Sequence, residues 1–387
     1  MEIRIRKSLF ILSIIGAFLL GICFTGGAML IKGGDSGSSP VSPGGFPEGD
    51  DKFDTLKSYV DQLYLEDYDE KEMMEGAYKG YISGLGDPYS EYMDAETYSS
   101  FMASATGSYE GVGITFSEDE DGNFVALEIA KGSPAEKAGF KPGDILLTVD
   151  GETYTDINIM ASKIRGEAGT EVKLEYSRDG EVKEVTLKRE KITQQSIEYK
   201  MLEGNVGYIE IGSFIESTAA DFDKALSALE AKNAERLIID LRDNGGGLVD
   251  QSVEVADEFL DEGVVCYTED KNGNTDSYEA KDGKTDLKTV VLVNEYSASA
   301  SEILAGALKD NGYKIVGEKS FGKGVIQTTL ELEDGSALKL TIMQYLSPNK
   351  NVIHKKGITP DYEVEEKEDT EKDEQLDKAL QVVKDLK

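Results

Sequence analysis

VLVNEYSASASEILAGALKD (residues 291–310) passes from a valine-rich run, through three serines alternating with alanine, into an apolar pattern of helical period. A buried strand that turns sharply into a helix is the repeating unit of an α/β fold. A hydroxyl at such a turn lies near a helix N-terminus, where free N–H groups and the positive end of the helix dipole favour developing negative charge. Ser299-Ala-Ser-Glu302 also fits S-x-x-E, so Ser299 reads equally well as the N-cap of a capping box. The stretch predicts strand, turn and helix, and leaves open which serine, if any, is a nucleophile.

The same rhythm extends outward. From about Lys191 strands (VGYIEI, RLIIDLR, TVVLVN, KIVGE) alternate with helical patterns (TAADFDKALSALEAK, VDQSVEVADEFLD), as in an α/β domain. Before it, short β-type runs separated by Gly, Asp and Pro clusters mark a small β-rich domain, in which EGVGITF (110–116) and KGSPAEKAGFKPGDILLTVDG (131–151) could add a peptide as an extra strand and hold a terminal carboxylate on loop N–H groups. Residues 53–83 have helical spacing and lead into a turn at Asp87–Pro88. At the C-terminus an acidic stretch precedes Leu376, Ala379, Leu380, Val383 and Leu386 at helical spacing, which reads as a peripheral helix.

The N-terminus has a different character. After Arg4, Arg6 and Lys7, residues 8–31 carry no charge, enough to cross a hydrocarbon core about 30 Å thick. The basic flank places the remainder outside the cytoplasm. A cleaved signal peptide competes with this reading, but the run is long and no A-x-A site closes it; Ile22 before Cys23 argues against a lipoprotein site. Gly, Ser and Pro then dominate GGDSGSSPVSPGGFPEGD (33–50), a flexible tether.

A net charge of −34 excludes nucleic-acid binding, which needs a basic stripe. The two cysteines, Cys23 and Cys266, lie far apart and one sits in the apolar run, so no disulfide is expected. With one histidine and no ligand-spaced Cys/His cluster, neither a metal nor another cofactor is expected.

A nucleophilic serine needs a base. The single histidine, His354, is flanked by Lys355 and Lys356, which oppose its protonation, and lies in a loop sequence. Lys323, between Gly322 and Gly324 in EKSFGKGVIQTTLEL (318–332), is the other candidate, and in an extended run Gln327 would share its face. To act as a base the amine must be desolvated, and a solvated loop lysine is the competing reading. S-x-x-K occurs at Ser320, Ser336 and Ser347, but without S-D-N or K-T-G elements a β-lactamase arrangement is excluded. In RLIIDLRDNGGGLVDQ (236–251) a strand ends at a triple glycine that offers N–H groups to an anion or simply makes a tight turn; it is neither a P-loop nor a dinucleotide fingerprint.

Taken together, SPAEKAGFKPGDILLTVDG, DLRDNGGG, SASASEILAGAL and SFGKGVIQ resemble the carboxyl-terminal processing proteases, tail-specific serine peptidases of family S41 with an embedded PDZ domain. The resemblance covers about residues 53–387. It implies a multidomain α/β fold with a β-rich PDZ domain inserted between an N-terminal helical arm and a ClpP/crotonase-like α/β protease core. The expected divisions are 1–32 cytoplasmic flank and anchor, 33–52 linker, 53–94 helical region, 95–190 PDZ, 191–365 core, and 366–387 acidic linker and helix. It further implies Ser299 as nucleophile, Lys323 as general base and Gln327 as its orienter. The oxyanion hole would draw on Ala300 and on Gly246, with Gly245 the other candidate. Gly111, Val112, Gly113 and Ile114 would hold a peptide terminus.

The expected protein is thus a single-pass, extracytoplasmic serine endopeptidase that acts on proteins with accessible C-termini, with a PDZ domain that gates the core and terminal helices (53–93, 373–387) that could join copies. The alternatives are a catalytically inactive PDZ adaptor or chaperone, which would have lost one of Ser299, Lys323 and Gln327, and a crotonase-like thioester enzyme, which the PDZ signature and the anchor disfavour.

Overall fold

The computed structural model describes residues 51–119, 122–281, 285–366 and 372–386. The apolar run 8–31, Cys23, the tether 33–50 and most of the acidic stretch lie outside the described residues. Among the described residues no helix is long and apolar enough to cross a membrane.

The chain divides at Tyr68 into two units. The described part of the first holds helix α1 (Asp51–Leu63), on which Phe53, Leu56, Tyr59 and Leu63 are exposed. The second unit begins at Asp69, whose side chain caps α2 (Glu70–Ser83) by accepting the N–H groups of Lys71 and Glu72. Then follow β1 (Glu91–Met93), α3 (Ala95–Thr106), capped by Asp94, and β2 (Ser108–Gly111). Gly107 ends α3 in the left-handed region at φ 65°, where a Cβ would lie 2.2 Å from Ile215 Cδ1. Only glycine fits both the angle and the space.

The β-rich domain comprises β3 (Ile114–Glu118), β4 (Phe124–Ile129), α4 (Pro134–Lys137), β5 (Ile145–Val149), α5 (Ile157–Ile164), β6 (Glu171–Arg178) and β7 (Glu181–Lys188). Its five strands form one antiparallel sheet in chain order, so β3 is an edge. Its core includes Val112, Ile114, Met160, Ile164 and Leu174. The next strand, β8 (Glu190–Thr193), pairs with β2 from Ser108↔Thr193 to Gly111↔Glu190, so the chain enters and leaves this domain along one ribbon.

The rest builds two sheets from β9 (Ile197–Leu202), β10 (Val206–Ile211), α6 (Thr218–Glu230), β11 (Arg236–Asp240), α7 (Val249–Asp257), β12 (Gly263–Asp270), β13 (Thr275–Ala280), β14 (Lys288–Val293), α8 (Ala300–Asp310), β15 (Lys314–Gly317), β16 (Val325–Glu331), β17 (Ala337–Leu346), β18 (Tyr362–Glu363) and α9 (Glu374–Asp385). The larger sheet runs β18-β15-β14-β11-β10-β9, parallel except for β9. Alternate residues of each strand face opposite ways. Ile209, Ile239, Val291 and Ile315 pack with α6, α7 and α8, whereas Tyr208, Ile238, Val290 and Val316 pack with Ala379, Val382 and Val383 of α9. Buried on both faces, these strands read as continuous apolar runs, each large side chain contributing about 1.5–3 kcal/mol.

The second sheet, β1-β17-β12-β13 with β16 on β17, brings β1 from ahead of the PDZ region into the core: Glu91↔Lys339, Tyr92↔Leu338 and Met93↔Ala337 are in register. This strand carries the Asp87–Ser90 turn into the neighbourhood of the site.

Candidate active site

The serine run lies at the C-terminal end of β14, between that strand and α8. Two of its hydroxyls serve the backbone. Ser297 Oγ donates to Leu241 O at 2.7 Å and accepts Asn294 N–H at 2.9 Å; Ser301 Oγ donates to Asn244 O at 3.0 Å, and both side chains are fully buried. Ser299 alone of the three donates to no acceptor among the described residues, and at 9% exposure it retains access to solvent. Its backbone has φ 57° and ψ −116°, a conformation that costs a side-chain-bearing residue of order 1–3 kcal/mol. Strain of this kind at a strand-to-helix turn is what presents a hydroxyl outward.

Glu302 holds this turn. Fully buried, its Oε2 accepts the N–H of Ser299 at 3.0 Å and of Lys323 at 2.8 Å; its Oε1 accepts Ser320 Oγ–H at 2.6 Å and Gly322 N–H at 2.7 Å. The capping box is therefore unequal. Its carboxylate arm is well formed, whereas Glu302 N–H makes its 2.8 Å bond to Ser299 O, and the Ser299 hydroxyl approaches it only loosely. Burial raises the Glu302 pKa, and these donors oppose the rise. Tyr345, also buried, places its hydroxyl 3.0 Å from Ser299 O and 2.7 Å from Lys323 O, a second tie between the serine turn and the lysine loop.

Lys323 is half-buried in the loop ahead of β16. Burial lowers its pKa first, and the positive charge of Lys339 lowers it further, against Asp87 and Glu302. The amine makes no hydrogen bond among the described residues. It lies 5.0 Å from the centre of the Tyr89 ring. Gln327 Nε2 donates to Thr341 Oγ1 at 3.1 Å, where the β16–β17 pairing shifts register at Ile342, an extra residue on β17.

The triple glycine abuts the serine. A Cβ on Gly246, at φ 104°, would lie 2.7 Å from Ala298 O and 2.8 Å from Ser299 Cβ. Its N–H, however, is taken by Asn244 Oδ1 at 2.8 Å, while Asn244 Nδ2 donates to Ile211 O at 2.7 Å. Among the described residues the N–H groups of Ala300 and Gly245 are uncommitted. This turn and the start of α8 thus offer free donors close to Ser299, of which the Gly246 N–H is not one.

His354 lies against the lysine loop, where a Cβ on Gly324 would meet its backbone nitrogen at 2.2 Å. Burial and Lys355 depress its proton affinity, and its Nδ1 is buried without a hydrogen-bond partner. In the β-rich domain Val112, Gly113 and Ile114 stand at the head of edge strand β3, with Val112 O accepting Ala135 N–H at 3.0 Å. Gly111 is separate from them, paired with Glu190 in the ribbon.

Comparisons with known proteins identify the family. The model of peptidase family S41 matches residues 205–364, that of the PDZ domain residues 111–188, and that of the activating protease CtpB N-terminal domain residues 38–97. The carboxy-terminal processing protease CtpA of Bacillus subtilis (strain 168) is 41% identical over 326 residues, 82% of this chain and 70% of that protein. The chain belongs to peptidase family S41. CtpB of the same organism is likewise 41% identical over 321 residues, 80% of this S41 chain and 66% of CtpB. A solved S41 protease structure from Bacteroides fragilis NCTC 9343 shares the fold, with a TM-score of 0.52 at 16% identity, over 89% of this chain and 99% of that one. This S41 member is thus a carboxy-terminal processing serine protease with a PDZ domain.

Several residues at the site carried no chemical signal in the sequence. Glu302 was visible only as a capping partner, although a carboxylate in the otherwise apolar SEILAGAL is itself a sign of a buried acceptor. Tyr89, Asn244 and the β17 pair Thr341 and Tyr345 reach the site from three separate segments, and spacing cannot bring those together.

Proposed function

We propose that this protein is a membrane-anchored, extracytoplasmic endopeptidase that uses Ser299 and Lys323 as a catalytic dyad and takes substrates by their C-terminal tails. The observation that carries the dyad is the commitment of Ser297 and Ser301 to backbone carbonyls, which leaves Ser299 as the hydroxyl with a transferable proton on a turn that Glu302 ties to the loop of a lysine whose pKa is lowered by burial.

In the proposed reaction the neutral Lys323 amine accepts the Ser299 proton as Oγ bonds to the peptide carbonyl carbon. The Ala300 N–H and the glycine turn hold the oxyanion. Collapse breaks the C–N bond, and the Lys323 ammonium returns its proton to the leaving amine. Water, deprotonated by the same lysine, then cleaves the ester to a carboxylic acid and restores Ser299. The amine must move from the Tyr89 ring to the hydroxyl for the first step, a tightening common when a substrate enters. Gln327 would orient it from β16.

The PDZ domain would hold the substrate tail as an added strand on β3, with the terminal carboxylate on the Val112–Ile114 loop. The β2–β8 ribbon makes this domain a candidate gate for the core. Residues 8–31 would anchor the protein, with Arg4, Arg6 and Lys7 on the cytoplasmic side. Cleavage of a folded substrate with and without an apolar C-terminal tail, by the intact chain and by Ser299→Ala, tests the reading. Tail-dependent cleavage abolished by Ser299→Ala supports it; cleavage that persists in the variant overturns it.

A further inference from the structure

The Asp87–Ser90 turn lies ahead of the PDZ region in the chain, yet it is fastened to β17 next to Gln327 and lays a ring against the lysine. Tyr89 N–H donates to Asp87 Oδ1 at 3.1 Å, and Ser90 Oγ–H to Asp87 Oδ2 at 2.6 Å. Ser90 Oγ in turn accepts Thr341 N–H at 2.9 Å, and Thr341 Oγ1 accepts Gln327 Nε2–H at 3.1 Å. Strand β1 continues this attachment along β17. A single residue, Thr341, therefore links the turn to the candidate orienter of the lysine, while the ring of Tyr89 faces the amine at 5.0 Å.

We propose that Tyr89 is a positioning residue for Lys323: its ring covers the amine, excludes water from it, and sets the place from which it moves to Ser299. The inference rests on Lys323 acting as the base. Two effects of the ring oppose each other. Its face attracts an ammonium, which favours the protonated amine. Its bulk denies that ammonium water, which favours the neutral one. The ring adds to the burial that is the largest cause lowering the Lys323 pKa, and this exclusion of water is taken as the larger of the two effects. The charged groups acting on the amine are Lys339 of β17, Asp87 of the turn and Glu302 of α8, with the Tyr89 phenol itself raised by burial.

The test is the pH dependence of Ser299 labelling by a fluorophosphonate on the full-length chain, for wild type, Tyr89→Phe, Tyr89→Leu, Ser90→Ala and Lys323→Ala. Tyr89→Phe keeps the ring and the wild-type midpoint. Tyr89→Leu uncovers the amine and moves the midpoint up by about one unit, so that labelling well below both midpoints is about tenfold slower. Ser90→Ala, which loosens the turn and keeps the ring, moves it in the same direction by less. Midpoints in Tyr89→Leu and Ser90→Ala that coincide with wild type overturn the proposal, as does a fall in labelled fraction with the midpoint unchanged. Wild-type labelling by Lys323→Ala would instead reject the lysine as base, a separate failure.

Discussion

Glu302 Oε2 accepts the backbone N–H of Lys323 at 2.8 Å, twenty-one residues along the chain, while the same carboxylate anchors the serine turn. Every oxygen lone pair facing these loops is used as an acceptor. Glu302→Gln preserves shape but turns one oxygen into a donor facing backbone N–H groups in either orientation. The substitution should leave at least one buried donor unsatisfied, costing about 1–3 kcal/mol, and lower peptidase activity by tenfold or more. Thermal unfolding and labelling rates measured on the same preparation check both.

Gly246 touches Ser299 without room for a methyl group. A Cβ there would also lie 3.0 Å from Ala300 N, so Gly246→Ala should abolish tail-dependent cleavage and slow probe labelling by about a hundredfold or more, the order expected when the Ala300 donor is displaced. Gly245→Ala meets no atom within 4 Å and should fold normally. Labelling of the two variants at matched folded fraction distinguishes steric loss from general instability.

The pH dependence has a definite sign. Only the neutral amine can accept the Ser299 proton, so labelling should rise tenfold per pH unit on its acid limb and level off at a midpoint below the ordinary lysine value near 10.4. Lys339 carries a like charge that depresses Lys323. Lys339→Met should move the limb upward by less than about one unit, given solvent screening. A pH series of labelling rates checks this.

The C-terminal helix is latched to the strand that leads into the glycine turn. Arg242 bonds Asp240 at 2.6 Å and both carboxylate oxygens of Asp373 at 2.9 Å, and Asp240 also accepts Tyr208 O–H at 2.7 Å. Arg242→Met leaves buried Asp240 without its cation and should destabilise the core by about 3–5 kcal/mol, read by denaturant unfolding. Burial raises the Asp373 pKa, but its bonds to Arg242 win and the net shift is downward. That stabilisation is complete above the unfolded carboxylate range near 3.9 and is lost as pH falls through the lower folded value.

Legibility in the sequence followed the range of the interaction. The β14–turn–α8 unit was readable because a buried strand and an apolar helix each declare themselves within a few residues, and the glycine turn because positive φ selects glycine. The bulge that sets how Gln327 meets Thr341 lies on the partner strand at Ile342, far from GKGVIQ in sequence. That the Gly246 N–H is committed to Asn244 is likewise a matter of three-dimensional placement, invisible in the glycine run itself. Tyr89 was beyond reach: it sits more than two hundred residues from Lys323 and is brought there by β1 pairing with β17.

The PDZ assignment is separable from the chemistry. Gly113 has φ 83°, and a Cβ there would lie 2.3 Å from Ser133 Cβ. Gly113→Ala should distort the loop, reduce cleavage of tailed substrates by tenfold or more, and leave fluorophosphonate labelling of Ser299 near wild type. Parallel cleavage and labelling assays check it.

The central claim is the Ser299–Lys323 dyad, and its most direct measurement is active-site titration with a fluorophosphonate on the full-length protein, Ser299→Ala and Lys323→Ala, each confirmed as folded. The account predicts stoichiometric labelling of the parent at one site, none of Ser299→Ala, and labelling of Lys323→Ala slowed by a hundredfold or more. Unaltered labelling of both variants would contradict it.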